Sequence, residues 1–376
     1  MLENLRNLYL LVAGDCNLAC AYCYAQGGGF GGGPRAMDAE TLRMALDKLV
    51  PKDSALVISF FGGEPLLELE LLRQAVAWGN TLGAKRGTRL RYVLTTNGTL
   101  LDDERLDFLK AHVSHVAVSL DGGQTLTDAS RCFKDCEESV YRVVVQNLRR
   151  LKSESIPFGL RGTIPAGRAD ELDAAVAHLQ SLGPVTVRVE AAAEAKPWRR
   201  EHWQAWSEAV IRTNKRALEG LITGKEPGPA ADIYRVAAHR LEGLARQYPC
   251  VAGQGILAVS TSGYVYPCDH FVGDPAFCMG DVRRDDFPGE AFCRIVKHLQ
   301  ANRVDDRPKC ANCQVRYLCG GECPARSLLC QGNVADPSPS HCAHTRRVLR
   351  QAERLVDTAL ADPIGRERLA ALLKRM

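Results

Sequence analysis

Ten of the fifteen cysteines in this chain of 376 residues fall into two ordered groups. That ordering restricts what the chain can become more than any other feature. Cys16, Cys20 and Cys23 stand in C-x3-C-x2-C spacing, and Cys250, Cys268, Cys310, Cys313, Cys319, Cys323 and Cys342 form a longer series. In a short secreted chain such a density would imply disulfides. In a chain of this length, with the cysteines unevenly clustered, it implies metal or cluster binding. The N-terminus, MLENLRNLYLLVAGDCN, has Glu3 at its start and no small-residue cleavage site after its apolar stretch. It reads as a buried strand and not as a signal peptide. A reducing compartment, where thiolates stay free to bind iron, is therefore expected, and the localisation expected is cytoplasmic.

Outside the cysteines the chain is ordinary, with 46% hydrophobic residues and a net charge of +4. That charge is too small to imply nucleic-acid or membrane partners, and no apolar run approaches the roughly 18 residues a membrane span needs. Up to about residue 190, short apolar runs at 8–13, 55–61, 90–95, 115–120, 158–164 and 185–190 alternate with helical stretches at 39–49, 66–82, 102–111, 138–151 and 169–182. Such runs suit strands covered on both faces. Asp38 and Asp102 are placed as N-caps. Six strand–helix alternations imply parallel strands whose right-handed crossovers curl into a full or partial barrel. Residues 197–247 read as helical, broken by a loop at 224–230. From Cys250 to Cys342 little helical periodicity is evident, and beyond it comes an amphipathic helix with a basic tail.

Three thiolates on one loop after the first strand can each hold one iron of a four-iron cubane, leaving the fourth iron open for a ligand. Zinc is the alternative, although zinc sites favour four protein ligands in paired spacing. The stretch GDCNLACAYCYA resembles the signature of the radical S-adenosylmethionine (SAM) superfamily. FFGGEPLL (60–67), TTNGTLL (95–101) and SLDG (119–122) are similar to its later strand-end motifs. The resemblance implies a partial (β/α)6 TIM-like barrel in which the open iron chelates SAM. It further implies that Gly62, Gly63 and Glu64 bind the SAM amino group, that Tyr22 contacts the adenine through its backbone, and that Ser119 and Asp121 reach the ribose or carboxylate. A side chain at either glycine would block a close backbone approach. Arg131 is a candidate partner of the methionyl carboxylate, although TDASRCFKDCEES around it departs from the family pattern.

The second group runs Cys250, x12, Gly263, x4, Cys268, a gap, Cys310-x2-Cys313-x5-Cys319-x3-Cys323, and finally Cys342. It resembles the SPASM domain of radical SAM enzymes, which carries two auxiliary [4Fe–4S] clusters; a pair of zinc ribbons is the alternative. By that resemblance Cys310, Cys313, Cys319 and Cys342 hold the distal cluster. Cys250, Cys268 and Cys323 hold the nearer one, whose fourth ligand is open, with Cys278 and Cys293 as candidates. Cys132, Cys136 and Cys330 remain as ordinary thiols.

The chemistry implied is cleavage of SAM to a 5′-deoxyadenosyl radical, followed by oxidation of a substrate with the auxiliary clusters as electron acceptors. Asp269 directly follows Cys268 in YPCDHF, whose PCD resembles that of anaerobic sulfatase maturases, where the aspartate would take a proton from the residue becoming formylglycine. Capping a turn is the plain alternative for Asp269, and His270 is a lesser candidate. The longer strings PCDHFVGDPAFCMGDV and RYLCGGECPAR are similar to maturases of ribosomal peptides, including cross-linking enzymes. With 15 residues ahead of Cys16, a leader-binding winged-helix domain is not expected. A separate protein would then bind a leader, or the barrel and segment 197–247 would bind the substrate. The glycine patch 27–33 reads as a connector, or as a lid over an extended peptide. The expected product is a cross-linked ribosomal peptide, with formylglycine formation in a sulfatase as the alternative and a zinc-ribbon binding protein as the non-enzymatic one. The expected domains are a barrel at 1–196, a helical bridge at 197–249, a SPASM domain at 250–345 and a C-terminal helix and tail at 346–376. The expected partners are a peptide or protein substrate and a reductant such as flavodoxin or ferredoxin.

Overall fold

The computed structural model describes residues 2–30, 32–192, 198–224 and 229–374. The centre of the loop expected at 224–230 and the barrel boundary expected at 196 lie outside them. The chain divides into two compact units, one of residues 1–161 and 251–299 and the other of 162–250 and 300–376.

Six strands follow the expected alternation: β1 (Asn7–Ala13), β2 (Ala55–Gly62), β3 (Arg89–Thr96), β4 (His115–Ser119), β5 (Phe158–Ile164) and β6 (Thr186–Ala191). They lie in chain order, and the described pairs from β1 to β5 are parallel, as successive right-handed strand–helix units require. Leu8, Leu10, Val12, Ile58 and Phe60 are fully buried, which is why β1 and β2 read as almost continuous apolar runs. Asp38 and Asp102 cap their helices as expected, accepting from the Thr41 and Arg105 amides. The second helix differs slightly from expectation. Pro65 opens a 3-10 turn, and the α-helix proper spans Leu69–Arg86 until Gly87, at φ +67°, ends it.

The first unit takes in more than the sequence implied. Three short strands, β7 (Ile256–Val259), β8 (Tyr264–Tyr266) and β9 (Gly280–Asp281), extend the same sheet. β7 runs parallel to the free side of β1, with Leu10 opposite Val259. A helix, Glu290–Gln300, follows and buries Phe292, Ile295 and Leu299. The scarcity of helix expected between Cys250 and Cys342 is corrected here, because those apolar positions recur at helical spacing.

The second unit is mainly helical. Helices Arg200–Ile222, Ala231–Glu242, Pro339–Ala361 and Pro363–Lys374 enclose Leu218, Ile233, Val236, Leu349, Val356 and Leu369, and Cys313 and Cys319 pack partly buried against that core. Cys342 lies in the first turn of its helix, and the expected basic tail is itself helical. Among the described residues no helix is long and apolar enough to cross a membrane.

Candidate functional site

In a parallel α/β sheet of this kind, reactive groups collect beyond the carboxyl ends of the strands. The loop after β1 carries Cys16, Cys20 and Cys23 there. It is pinned to segment 130–133 by Ala19 N–H to the Cys132 carbonyl and Ala21 N–H to the Ser130 carbonyl, both at 2.8 Å. The sulfurs are already solvated by the chain. Leu18 N–H donates to Cys16 Sγ at 3.4 Å, Gly27 N–H to Cys23 Sγ at 3.4 Å, and Asn97 Nδ2 to Cys16 Sγ at 3.7 Å. Burial pushes the Cys20 thiol up to about 11, with the Arg131 charge opposing the shift and the neighbouring Cys16 and Cys23 adding to it. Closely spaced thiols of this kind suit a cationic iron centre, which deprotonates its ligands outright. At the base of the loop, Asp15 is held ionised by hydrogen bonds from Lys134 and Arg35, and its carboxylate accepts from Cys16 N–H at 2.8 Å.

The GGE segment at the end of β2 is built into the same loop. Gly63 N–H donates to the Ala13 carbonyl and Glu64 N–H to the Asp15 carbonyl. A Cβ at Gly62, whose φ is +132°, would lie 2.2 Å from the Ala13 oxygen. One at Gly63 would lie 2.0 Å from the Asp15 oxygen. The need for glycine here is met within the protein, by the approach of the cluster loop. Glu64 is fully buried. Its Oε2 accepts from Asn97 N–H at 2.7 Å, and its Oε1 from the Thr96 hydroxyl at 2.8 Å and Leu66 N–H at 3.0 Å. The carboxylate thus ties the end of β2 to the TTNG turn after β3. Burial moves its pKa up to about 7 against those hydrogen bonds.

Gly63→Ala should therefore displace the cluster loop and destabilise the protein by about 3 kcal/mol or more, with iron lost from the N-terminal site. Gly123→Ala is the control, because a Cβ there meets open space and the change should stay within about 0.5 kcal/mol. Denaturant unfolding and iron analysis check both.

Tyr22, Asp121 and Arg131 meet in one cluster. Arg131 forms the bidentate carboxylate pair expected of it, but with Asp121, through Nε to Oδ2 at 3.1 Å and Nη2 to Oδ1 at 3.0 Å. Its guanidinium lies 5.5 Å from the Tyr22 ring centre, and the Tyr22 hydroxyl, kept protonated by burial, donates to Asp121. Asp121 is wholly buried and Arg131 nearly so. Ser119 ends β4 and is half-buried.

Asp269 stands just past β8, its side chain largely covered. The hydroxyl of Tyr24, one residue after Cys23, donates to Asp269 Oδ2 at 2.7 Å. The Tyr24 ring stacks on His270 with centroids 4.5 Å apart, and His270 Nε2 lies 3.9 Å from Asp269 Oδ2. Burial pushes the Tyr24 phenol well up, so it is the donor in this pair. Tyr24 was not singled out from the sequence, where an aromatic residue after a cysteine has no distinguishing mark. Gly28, Gly29, Gly32 and Gly33 of the glycine patch line a hollow with Ser260, Thr261, Ser262, Tyr264 and Tyr266.

In the second unit Cys310, Cys313, Cys319 and Cys342 line one cavity together with Gly321, Glu322 and Arg346. This is the set expected for the distal cluster. Burial raises the Cys310, Cys319 and Cys342 thiols, that of Cys342 to about 11. Cys250 and Cys323, both exposed, belong to this unit, whereas Cys268, Cys278 and Cys293, all half-buried, belong to the first. Cys132, Cys136 and Cys330 are exposed. Among the described residues no three His, Cys, Asp or Glu side chains gather as they would around a single metal ion; a four-iron cluster takes one thiolate per iron.

The model of the radical SAM superfamily matches residues 10–180, and that of SPASM, an iron–sulfur cluster-binding domain, matches 250–314. An uncharacterized protein of Methanocaldococcus jannaschii is 29% identical over 75% of this chain and 90% of its own. An AdoMet-dependent heme synthase of Methanosarcina barkeri is 24% identical over 88% and 93%. A serine-type anaerobic sulfatase-maturating enzyme of Bacteroides thetaiotaomicron is 23% identical over 88% and 85%. Among solved structures, native anSMEcpe with bound AdoMet and Kp18Cys peptide superposes with a TM-score of 0.80, covering 95% of this chain and 99% of that one at 18% identity. Streptococcus suis SuiB bound to precursor peptide SuiA gives 0.61, covering 90% and 76% at 15% identity. At such identities the likeness to the solved structures is one of fold.

Proposed function

Because this chain belongs to the radical SAM enzymes that carry a SPASM iron–sulfur domain, we propose that it oxidises a side chain of a peptide or protein substrate, with Asp269 as the proton acceptor. The observation that carries this is the Tyr24–Asp269 hydrogen bond, which joins the residue after the last N-terminal cysteine to the residue after Cys268. In this reading Cys16, Cys20 and Cys23 hold the SAM-binding [4Fe–4S] cluster. Cys310, Cys313, Cys319 and Cys342 hold the distal auxiliary cluster, and Cys250, Cys268 and Cys323 hold the nearer one. When bound, these groups and SAM supply a hydrogen-abstracting 5′-deoxyadenosyl radical and accept the electron that the oxidation releases.

The chain's own residues do the rest. The Gly62 and Gly63 carbonyls and the spare lone pairs of Glu64 receive the SAM amino group, and the Tyr22 backbone and Ser119 border the nucleoside. Asp121 and Arg131 neutralise each other and hold the Tyr22 ring in place, so their part is positioning. Asp269 takes the proton that the oxidised carbon's substituent sheds, and the hydrogen bond from Tyr24 keeps that carboxylate aimed. Formylglycine formation from Ser or Cys is the product we favour. The curated sulfatase-maturating relatives support it. Cross-linking of a ribosomal peptide is the second reading, supported by the strings at 267–282 and 316–326. A flavodoxin or ferredoxin would deliver the first electron, and a separate leader-binding protein would be a further partner in the second reading.

The test is anaerobic reconstitution followed by incubation with SAM, dithionite and one of three substrates: a sulfatase-type peptide, a ribosomal precursor peptide, or the porphyrin Fe-coproporphyrin III, which another curated relative is named for. Mass spectrometry with an aldehyde-reactive probe separates formylglycine from a cross-link. Turnover of the porphyrin and of neither peptide would overturn the proposal.

A further inference from the structure

Arg307 is buried to all but 3% of its surface, yet its Nε and Nη1 have no hydrogen-bond partner among the described residues. Its remaining contact is a long one, from Nη2 to the Val334 carbonyl at 3.4 Å. A guanidinium without a counter-ion is among the most unfavourable groups a protein can bury. The nearest carboxylate candidate, Glu322, is already taken up by the Ser338 amide and hydroxyl, by Ser327 and by Arg326.

Arg307 adjoins the wall of the cysteine cavity, and its carbonyl accepts from Cys310 N–H at 2.9 Å. A Cβ at Gly321 would lie 2.6 Å from Arg307 Nη1, so the guanidinium presses on the backbone that lines the cavity of Cys310, Cys313, Cys319 and Cys342. Burial lowers the pKa of Arg307, and the charges of Cys310 and Cys319 are the first to oppose that shift. Two orphaned nitrogens of a guanidinium therefore stand behind the wall of a cavity lined by four thiols that would become anionic together on binding iron.

We propose that Arg307 is the built-in counter-charge of the distal auxiliary cluster and raises its reduction potential, making it the preferred resting place for the electron taken from the substrate. This rests on the assignment of those four cysteines to a [4Fe–4S] cluster. A four-thiolate cluster of this kind is more negative when reduced than when oxidised. A fixed cation close by, in a medium of low dielectric, therefore stabilises the reduced form more and shifts the potential upward. Arg307 is a positioning residue in this sense: it touches neither substrate nor SAM.

The experiment is an EPR-monitored redox titration of the full holoenzyme, with the N-terminal cluster's signal identified by its response to added SAM. Arg307→Gln keeps N–H donors and removes the charge; Arg307→Lys keeps the charge. The expected result is that one auxiliary signal in Arg307→Gln moves to a lower potential by more than the other auxiliary signal does, the N-terminal cluster stays put, and Arg307→Lys recovers most of the shift. Unchanged auxiliary potentials in Arg307→Gln, with full iron and sulfide content, would overturn the role of Arg307 and leave the cluster assignment standing. Wild-type protein with zinc or no metal at these four cysteines would instead overturn the assignment, and the proposal with it. Should Arg307→Gln fail to take up iron, Arg307→Lys decides: normal loading and potential support the counter-charge, and equal failure to load refutes it.

Discussion

Cys20→Ala should release no 5′-deoxyadenosine from SAM above background, a loss of roughly 10³-fold or more, while the protein remains folded and keeps about eight of its twelve irons. The loss is complete because the three thiols act together. With two sulfurs left, neither the cubane nor its open iron can be maintained. The nearest additional cysteine in the sequence, Cys132, has its thiol on the Ala19 carbonyl. The fold should survive because Cys20 lies outside the core and its loop is held by backbone hydrogen bonds to Ser130 and Cys132. Neither of those bonds uses the sulfur. Iron and sulfide analysis, circular dichroism and product chromatography check the three parts separately. Full loss of iron from all sites would mean that the clusters assemble as one unit. Retained SAM cleavage would mean that the site has been assigned to the wrong residues.

Much of this was legible because cysteine spacing and apolar runs are local properties. The six strands and the caps at Asp38 and Asp102 follow from order along the chain, and the four cysteines that share one cavity from the resemblance their spacing carries. What stayed hidden depends on residues brought together over long sequence separations. β7 joins the free side of β1 by backbone pairing, and ILAV (256–259) is too short a run to announce its partner. Glu64 was legible as part of GGE, but its ties to Thr96 and Asn97 were not, since they join the ends of two strands. Arg131 was picked out for its ability to pair with a carboxylate, and the sequence had no means of showing that Asp121 takes that capacity. Arg307 precedes a Pro-Lys-Cys string and looks like any surface arginine; only its burial and its two unmatched nitrogens mark it.

Asp269→Asn separates the two halves of the proposed reaction, because it removes a proton acceptor and leaves everything that splits SAM. Release of 5′-deoxyadenosine should continue within about threefold of wild type, while modified peptide falls by about 10²- to 10⁴-fold, the usual worth of a positioned acid–base group. The amide oxygen of asparagine can still accept from the Tyr24 hydroxyl, so the 2.7 Å bond and the stack of Tyr24 on His270 are retained. A folding defect is not expected. Tyr24→Phe should have a smaller effect, roughly tenfold, because it removes a hydrogen bond to the ionised carboxylate and leaves the acceptor itself. His270→Ala should resemble it, since the ring packs on Tyr24 and stands 3.9 Å from Asp269. The ratio of 5′-deoxyadenosine to modified peptide is the quantity to measure. In the two tyrosine and histidine variants it should rise modestly, and in Asp269→Asn steeply. A ratio unchanged in Asp269→Asn, with both products at wild-type rates, would reduce Asp269 to the partner of the Tyr24 hydroxyl and would leave proton removal to solvent or to the substrate itself.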